Sequence, residues 1–328
     1  MCTPRSAAPA SLPGGAGVGP LAADVQYYLA QTPRQLPSRY FYDALGSALF
    51  EAICQLPWYR ITRAEQRLLA SHGREILERL EPLSTLVELG PGSGEKQAAL
   101  ITAGRSRGRL TLHLVDVSAA ALDLAYRTLS ELENVDVVLH EATYETGLLE
   151  LSAGPRAAGR LLTLFLGSNI GNFDPPGARA FLQHIRAALS PGDALLVGVD
   201  LVKPEDELLL AYDDPLGVTA AFNRNLLVRV NRELHADFDV EAFRHRALWN
   251  AAESRVEMHL VSTRRQRVRI PKASLDITFE DGETIWTESS YKYQPSGIVS
   301  ALEATGFRRI EQWTDESDKF ALTLVEAM

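Results

Sequence analysis

Short apolar runs alternate with helix-length amphipathic stretches through the middle of this chain. Residues 85–89, 110–116, 135–139, 161–167 and 194–200 are dominated by leucine and β-branched side chains and are too short for helices. Between or before them, residues 65–80, a segment from Glu95, an Ala/Leu-rich segment after Ser118, and residues 175–189 carry helical spacing. Ser118 stands where a helix N-cap belongs. Continuous apolar strands separated by helices predict a parallel sheet covered on both faces.

The alternation stops at Asp200. Residues 204–211 and 217–234 are predicted to be helices, and residues 239–249 a further short one. Residues 255–270 and 275–279 are predicted antiparallel strands, 296–306 a capped helix ending in glycine, and 308–314 with 320–325 a closing hairpin. Ahead of the alternating region, 22–32 is predicted as a helix, and 37–63 mixes aromatics with short helical pieces. Residues 1–20 are rich in Ala, Pro and Gly without a hydrophobic period, and are expected to form a disordered tail.

Composition narrows the function classes. The chain has 328 residues, 46% hydrophobic and 23% charged, an ordinary globular mixture. A net charge of −9 argues against phosphate-driven binding, so no nucleic-acid partner is expected. No apolar run is long enough to span a bilayer and no secretory signal is apparent, so no membrane partner is expected. The two cysteines, Cys2 and Cys54, are too few for a disulfide framework, and Cys54 is expected to be a buried thiol. A cytoplasmic monomer acting on a small molecule is the expectation.

The chemistry begins at Glu88-Leu89-Gly90-Pro91-Gly92-Ser93-Gly94, which joins a predicted strand to a predicted helix. Glycines there let the backbone turn sharply and approach a ligand. The spacing is not that of dinucleotide loops; an acid followed by alternating glycines is similar to motif I of class I methyltransferases. Asp116, at the end of the next strand, can accept both hydroxyls of a ribose, or cap the following helix. The loop alone leaves a nicotinamide cofactor open; with Glu88 and Asp116 it points to S-adenosylmethionine. No Cys/His cluster suggests a metal.

Three segments are polar or aromatic where a scaffold does not require it: Arg39-Tyr40-Phe41-Tyr42-Asp43 with Trp58-Tyr59 close behind, Phe165 to Phe173, and Thr287 to Tyr293. Each residue has an ordinary structural role too. Tyr42 and Tyr59 suit a core, Asn172 a turn, Glu288 a solvated strand face and Met258 a core gap.

Together these segments resemble the histidine Nα-methyltransferase family of ergothioneine biosynthesis, from about Tyr40 to Trp313. The resemblance is carried by Phe41-Tyr42-Asp43, Gly46-Ser47, Leu49-Phe50, Glu95-Lys96, Gly171-Asn172, Ala211 to Asp214, Gly217 to Asn225, Asn231 to Leu234, Glu257-Met258 and Trp313 to Asp315. It implies an α/β fold: a class I (Rossmann-like) methyltransferase sheet with a second α+β substrate-binding domain. The methyltransferase domain would take residues 64–200 and 293–328, the substrate domain 21–63 and 201–292.

By resemblance, Gly90, Lys96, Asp116, Thr143 and Tyr144 contact the cofactor, although an acidic residue is the family's habit at position 143. Asn172 and Tyr212 would hold the substrate carboxylate, Glu288 and Ser290 the imidazole, Tyr59 and Met258 the ring, and Tyr42 the reacting amine. The implied reaction is in-line attack of a neutral α-amine on the sulfonium methyl, repeated up to the trimethylated betaine, hercynine. A relative acting on another amine such as tryptophan is the alternative enzyme; a non-catalytic cofactor sensor is the alternative of another class.

Overall fold

Where the alternating apolar runs stop, the chain leaves one compact unit for another. The computed structural model describes residues 19–104, 108–154 and 158–328. Residues 1–18 of the expected tail, with Cys2, lie outside the described residues, whereas Pro20 already opens a helix. That helix, α1 (Pro20–Leu29), begins on a proline whose missing N–H is not needed in a first turn, and it buries Ala22, Val25 and Leu29. A two-residue strand, β1 (Arg34–Gln35), and a 3-10 turn over Ser38–Phe41 lead to α2 (Ala44–Gln55). The helical pieces expected across 37–63 thus include one twelve-residue helix, capped by Asp43. Cys54, on α2, is half-buried rather than buried.

Helix α3 (Ile61–Glu78) then introduces the alternating region of β2 (Leu83–Leu89), α4 (Glu95–Gly104), β3 (Leu110–Asp116), α5 (Ala119–Leu129) and β4 (Val135–Glu141). It continues through α6 (Tyr144–Ala153), β5 (Arg160–Phe165), α7 (Pro175–Ala188) and β6 (Ala194–Asp200). Ser118 caps α5 as expected, accepting from the Ala121 N–H. Helix α6 is not among the expected elements; its capping residue is Thr143.

After β6 come α8 (Glu205–Tyr212), α9 (Val218–Leu234), β7 (Phe243–Asn250), β8 (Arg255–Ser262), β9 (Gln266–Ile270), β10 (Leu275–Phe279) and β11 (Thr284–Tyr291). The helix expected over 239–249 is instead mostly β7. Phe243 and His245 are buried while Arg244 and Arg246 are exposed, a period of two that belongs to a strand. The chain closes with α10 (Pro295–Glu303), β12 (Phe307–Asp315) and β13 (Phe320–Ala327). No side chain caps α10; Gln294 holds the N-cap position and a proline occupies the first turn.

The chain folds into two compact units: one of Arg60–Lys203 and Lys292–Met328, the other of Pro204–Tyr291 with the described residues up to Tyr59. The first holds a seven-stranded sheet in the order β12-β13-β6-β5-β2-β3-β4. Strands β4, β3, β2, β5 and β6 run parallel; β13 is antiparallel to β6 and β12 antiparallel to β13. This is the α/β, Rossmann-like sheet expected. Strand order reverses between β2 and β5, and ligands of open α/β sheets bind beyond the strand ends at such a point. The second unit carries a four-stranded sheet, β1-β11-β8-β7, and the β9–β10 pair. Among the described residues, no helix is long and apolar enough to cross a membrane.

Candidate active site

In the sheet unit, three loops meet over Gly90. Strand β2 ends in buried Glu88 and Leu89, and the chain then turns through Gly90, Gly92 and Gly94, all at positive φ. A Cβ on Gly90 would lie 2.7 Å from the Tyr144 hydroxyl and 3.2 Å from the Asn169 amide nitrogen. Glycine is therefore required both by its φ of +82° and by space. The loop after β2, the start of α6 and the turn after β5 come together here.

Asp116 ends β3, and its Oδ1 accepts from the Ser118 N–H at 2.8 Å. Burial pushes its carboxyl above the usual range, with the Ser118 and Val117 N–H groups opposing. Glu88 is wholly buried, and burial pushes it up much further, against the pull of Gln97 and Lys96. Burial likewise raises the Tyr144 phenol, so it stays protonated and able to donate. Its ring packs on Phe165 and Phe181, with centroids 5.8 and 5.7 Å away. Thr143 is exposed, and its hydroxyl caps α6, accepting from the Thr146 N–H at 3.3 Å. The Lys96 ammonium stands 2.5 Å from Oε2 of Glu65.

The turn after β5, Asn169–Asn172, carries Asn172 exposed at its end. Ser168 enters the turn in the left-handed region, at φ +61°, and its hydroxyl accepts from the Asp200 N–H at 3.0 Å. The Asp200 carboxylate in turn pairs with Lys203 at 2.7 Å and with Lys292 at 3.0 Å, all three side chains being buried.

In the other unit lie the expected substrate residues apart from Asn172, and Tyr42, Tyr59, Tyr212 and Ser290 among them are linked by one chain of contacts. Tyr42 follows the 3-10 turn, its ring edge-on to Phe50 at 5.7 Å and to Phe222 at 5.9 Å. Phe50 meets Tyr59 at 6.2 Å, and Tyr59 meets Tyr212 at 6.4 Å. The Tyr212 hydroxyl donates to the Ser290 hydroxyl at 2.7 Å. Tyr59 is buried, and burial first, then its neighbours Tyr212, Cys54, Tyr42 and Glu288, hold its phenol protonated.

A β-bulge fixes the far end of this group. The register of β11 on β8 shifts between Trp286 and Glu288, so that Trp286 faces His259 and Glu288 faces Met258. The extra residue, Thr287, donates its hydroxyl to the Met258 carbonyl at 3.0 Å, and the Trp286 indole donates to the Glu288 carbonyl at 2.8 Å. The bulge re-aims the strand. Glu288 and Ser290 thereby share one face with Met258, while Arg255, Glu257 and His259 share the other with Trp286.

Residues that sequence reasoning did not assign hold these side chains in place. The Asp43 carboxylate accepts from the Gly46 N–H and the Asn225 amide, both at 2.8 Å, and from Arg232 at 2.6 Å. Burial alone would raise this carboxyl, but those donors outweigh it and keep it ionised. Buried His245 sits 2.8 Å from the Tyr212 carbonyl through Nε2 and 2.9 Å from the Asn223 amide through Nδ1. A carbonyl only accepts, so Nε2 carries the proton and Nδ1 accepts. Phe50 and Phe222 bridge the tyrosines. The matching runs around Gly46 and from Gly217 to Asn225 contain several of these residues without revealing that they converge.

The twelve expected site residues thus fall six to a unit. Gly90, Lys96, Asp116, Thr143, Tyr144 and Asn172 are in the sheet unit, and Tyr42, Tyr59, Tyr212, Met258, Glu288 and Ser290 in the other. Asn172 and Tyr212, expected as a pair, belong to different units. Among the described residues, no group of three His, Cys, Asp or Glu side chains is arranged to hold a metal ion.

Residues 21–327 match the model of a family described as histidine-specific, S-adenosylmethionine-dependent methyltransferases. The chain is 44% identical over 306 residues to a histidine N-alpha-methyltransferase of Mycobacterium tuberculosis, covering 93% of this chain and 94% of that one. It is 42% identical to the protein of the same name in Mycolicibacterium smegmatis, with the same coverage. A tryptophan methyltransferase of Psilocybe serbica is 28% identical, covering 90% of this chain and 88% of its own length. The chain belongs to the histidine-specific, S-adenosylmethionine-dependent methyltransferase family.

Proposed function

We propose that this enzyme methylates the α-amino nitrogen of L-histidine with S-adenosylmethionine, up to Nα,Nα,Nα-trimethylhistidine (hercynine), as in ergothioneine biosynthesis. The observation that carries the substrate is the face of β11 set by the bulge. It offers a carboxylate, a hydroxyl and a thioether at Glu288, Ser290 and Met258. An imidazole needs an acceptor for its N–H, a second polar partner and an apolar wall for its ring, and this set supplies all three. The two histidine-acting relatives above are also far more similar to the chain than the tryptophan-acting one.

The sheet unit fits the cofactor. Gly90 lets the Tyr144 hydroxyl and the Asn169 amide pack directly against the backbone of the glycine loop, and the desolvated Asp116 carboxylate is suited to accept from ribose hydroxyls. In this reading Gly90, Lys96 and Asp116 hold the cofactor, and Thr143 and Tyr144 border its adenine. When bound, S-adenosylmethionine supplies an electrophilic methyl carbon. Tyr212 and Asn172 take the substrate carboxylate, Tyr59 closes on the ring, and Tyr42 orients the amine and passes its proton to water. An α-amine titrates near about 8, so a neutral fraction is present without a strong base, and alignment supplies the acceleration.

Mass spectrometry of histidine incubated with enzyme and S-adenosylmethionine tests the reading. Mono-, di- and trimethylhistidine are expected in sequence. Unchanged histidine beside a methylated tryptophan or other amine would overturn it.

A further inference from the structure

Glu65 is a helix glutamate with no solvent exposure at all. It stands on α3, outside every segment that the cofactor loop comprises. Both of its oxygens lie 2.9 Å from the Gly167 N–H, and Oε2 also lies 2.5 Å from the Lys96 ammonium. Gly167 is the second residue after β5 and leads directly into the turn that ends at Asn172. A single buried carboxylate therefore holds two things at once: the lysine next to the glycine loop and the backbone from which the Asn172 turn departs.

The space for that carboxylate is built into the sheet. A Cβ on Gly198, in the middle of β6, would fall 1.9 Å from Oε1 of Glu65. Glycine within a central strand weakens it and marks a place where another group must approach closely. Here the group is Glu65. Gly167 lies in the left-handed region at φ +71°, and a Cβ there would already touch the Lys96 nitrogen at 3.5 Å.

A buried charge is tolerated only when paired and hydrogen-bonded. Glu65 meets both conditions through Lys96 and Gly167, and Lys96 loses its conformational freedom in return. An unheld lysine carries four rotatable bonds and a point charge that samples a wide volume. One held at a carboxylate keeps its charge in a fixed place.

We propose that Glu65 is the positioning residue of the cofactor site: it fixes the Lys96 ammonium for the cofactor's anionic end and, through the Gly167 N–H, ties that fixation to the turn carrying Asn172. The proposal rests on the reading that Lys96 contacts the cofactor. Binding of S-adenosylmethionine and presentation of Asn172 to the substrate then share one anchor.

The test is calorimetric binding of S-adenosylhomocysteine to the full-length protein and to its E65Q, K96M and E65Q/K96M variants, with circular dichroism to verify folding. E65Q keeps the shape and an acceptor for Gly167 but removes the charge that holds the lysine. A loss of about tenfold in affinity is expected for E65Q and for K96M, as for one charge-assisted hydrogen bond, and no further loss in the double variant. E65Q is also expected to raise the KM for histidine more than it lowers kcat. Affinity unchanged in E65Q would overturn the proposal, and so would a loss that adds in full to that of K96M. Affinity unchanged in K96M would instead remove the Lys96 reading and the proposal with it. Should E65Q not fold, E65D is the second variant. One methylene shorter, it cannot reach both Lys96 and Gly167, and parent-like affinity in it would equally overturn the proposal.

Discussion

The Tyr212 hydroxyl donates a 2.7 Å hydrogen bond to the Ser290 hydroxyl, joining the last residue of α8 to the strand that carries Glu288. Both groups are buried, so the bond is shielded from water. Replacing Tyr212 with Phe removes the donor and should lower stability by about 1 kcal/mol, the usual net value of a neutral buried bond. In a double-mutant cycle with S290A, most of that loss should appear as coupling. The KM for histidine should rise in both single variants. Additive melting-temperature changes would show that the two hydroxyls do not act as a pair.

Glu288 supplies a carboxylate on the face of the bulge that it shares with Ser290 and Met258. E288A should raise the KM for histidine and relax selectivity among ring-bearing amino acids, with little change in cofactor affinity. Competition assays between histidine and tryptophan read the selectivity directly. Unaltered histidine turnover would remove Glu288 from the imidazole assignment.

Gly90 combines a positive φ with a neighbour 2.7 Å from the place of a Cβ. An alanine there carries about 1–2 kcal/mol of left-handed backbone strain before any clash with Tyr144. G90A should therefore fold with a lowered melting temperature and bind S-adenosylhomocysteine at least about tenfold more weakly. Parent-like binding by calorimetry would place the cofactor elsewhere.

His113 on β3 and His140 on β4 are diagonal neighbours across the strand pair, their ring nitrogens 3.0 Å apart. Burial first, and His140 second, lower the His113 pKa from 6.5 to about 4. The unfolded chain takes up this proton before the folded one does, so the contribution to stability is full above pH 6.5 and lost as pH falls through about 4. H113Q removes the proton-binding difference. The melting temperature of the parent should fall more steeply than that of H113Q between pH 6.5 and 4. Parallel curves would contradict the assignment.

Much of the sheet is legible in the sequence because its central strands are buried on both faces and leave continuous apolar runs. The bounds of β3 and β6 coincide with those runs, and Ser118 caps α5. Strand β7 reads wrongly as a helix because a buried histidine, His245, occupies an inward position, so the alternation does not show as apolar against polar. Helix α6 escapes because its strongest signal is one threonine cap and its apolar face is short. The resemblance gathers Glu288, Ser290 and Met258, but only the coordinates show the bulge that turns them to one side. Glu65 gives no sign at all, since a glutamate at a helix position normally faces water.

The buried Asp200 carboxylate sits where the chain leaves the sheet unit and where it returns. Lys203 and Lys292, which it pairs, are the last and first sheet-unit residues on either side of the 204–291 excursion. The Val202 N–H donates to the Tyr293 carbonyl at 3.0 Å, so the two ends of that excursion are stitched side by side. Such a junction lets the sequence of the excursion change while its exit and entry stay fastened to the same point of the seven-stranded sheet.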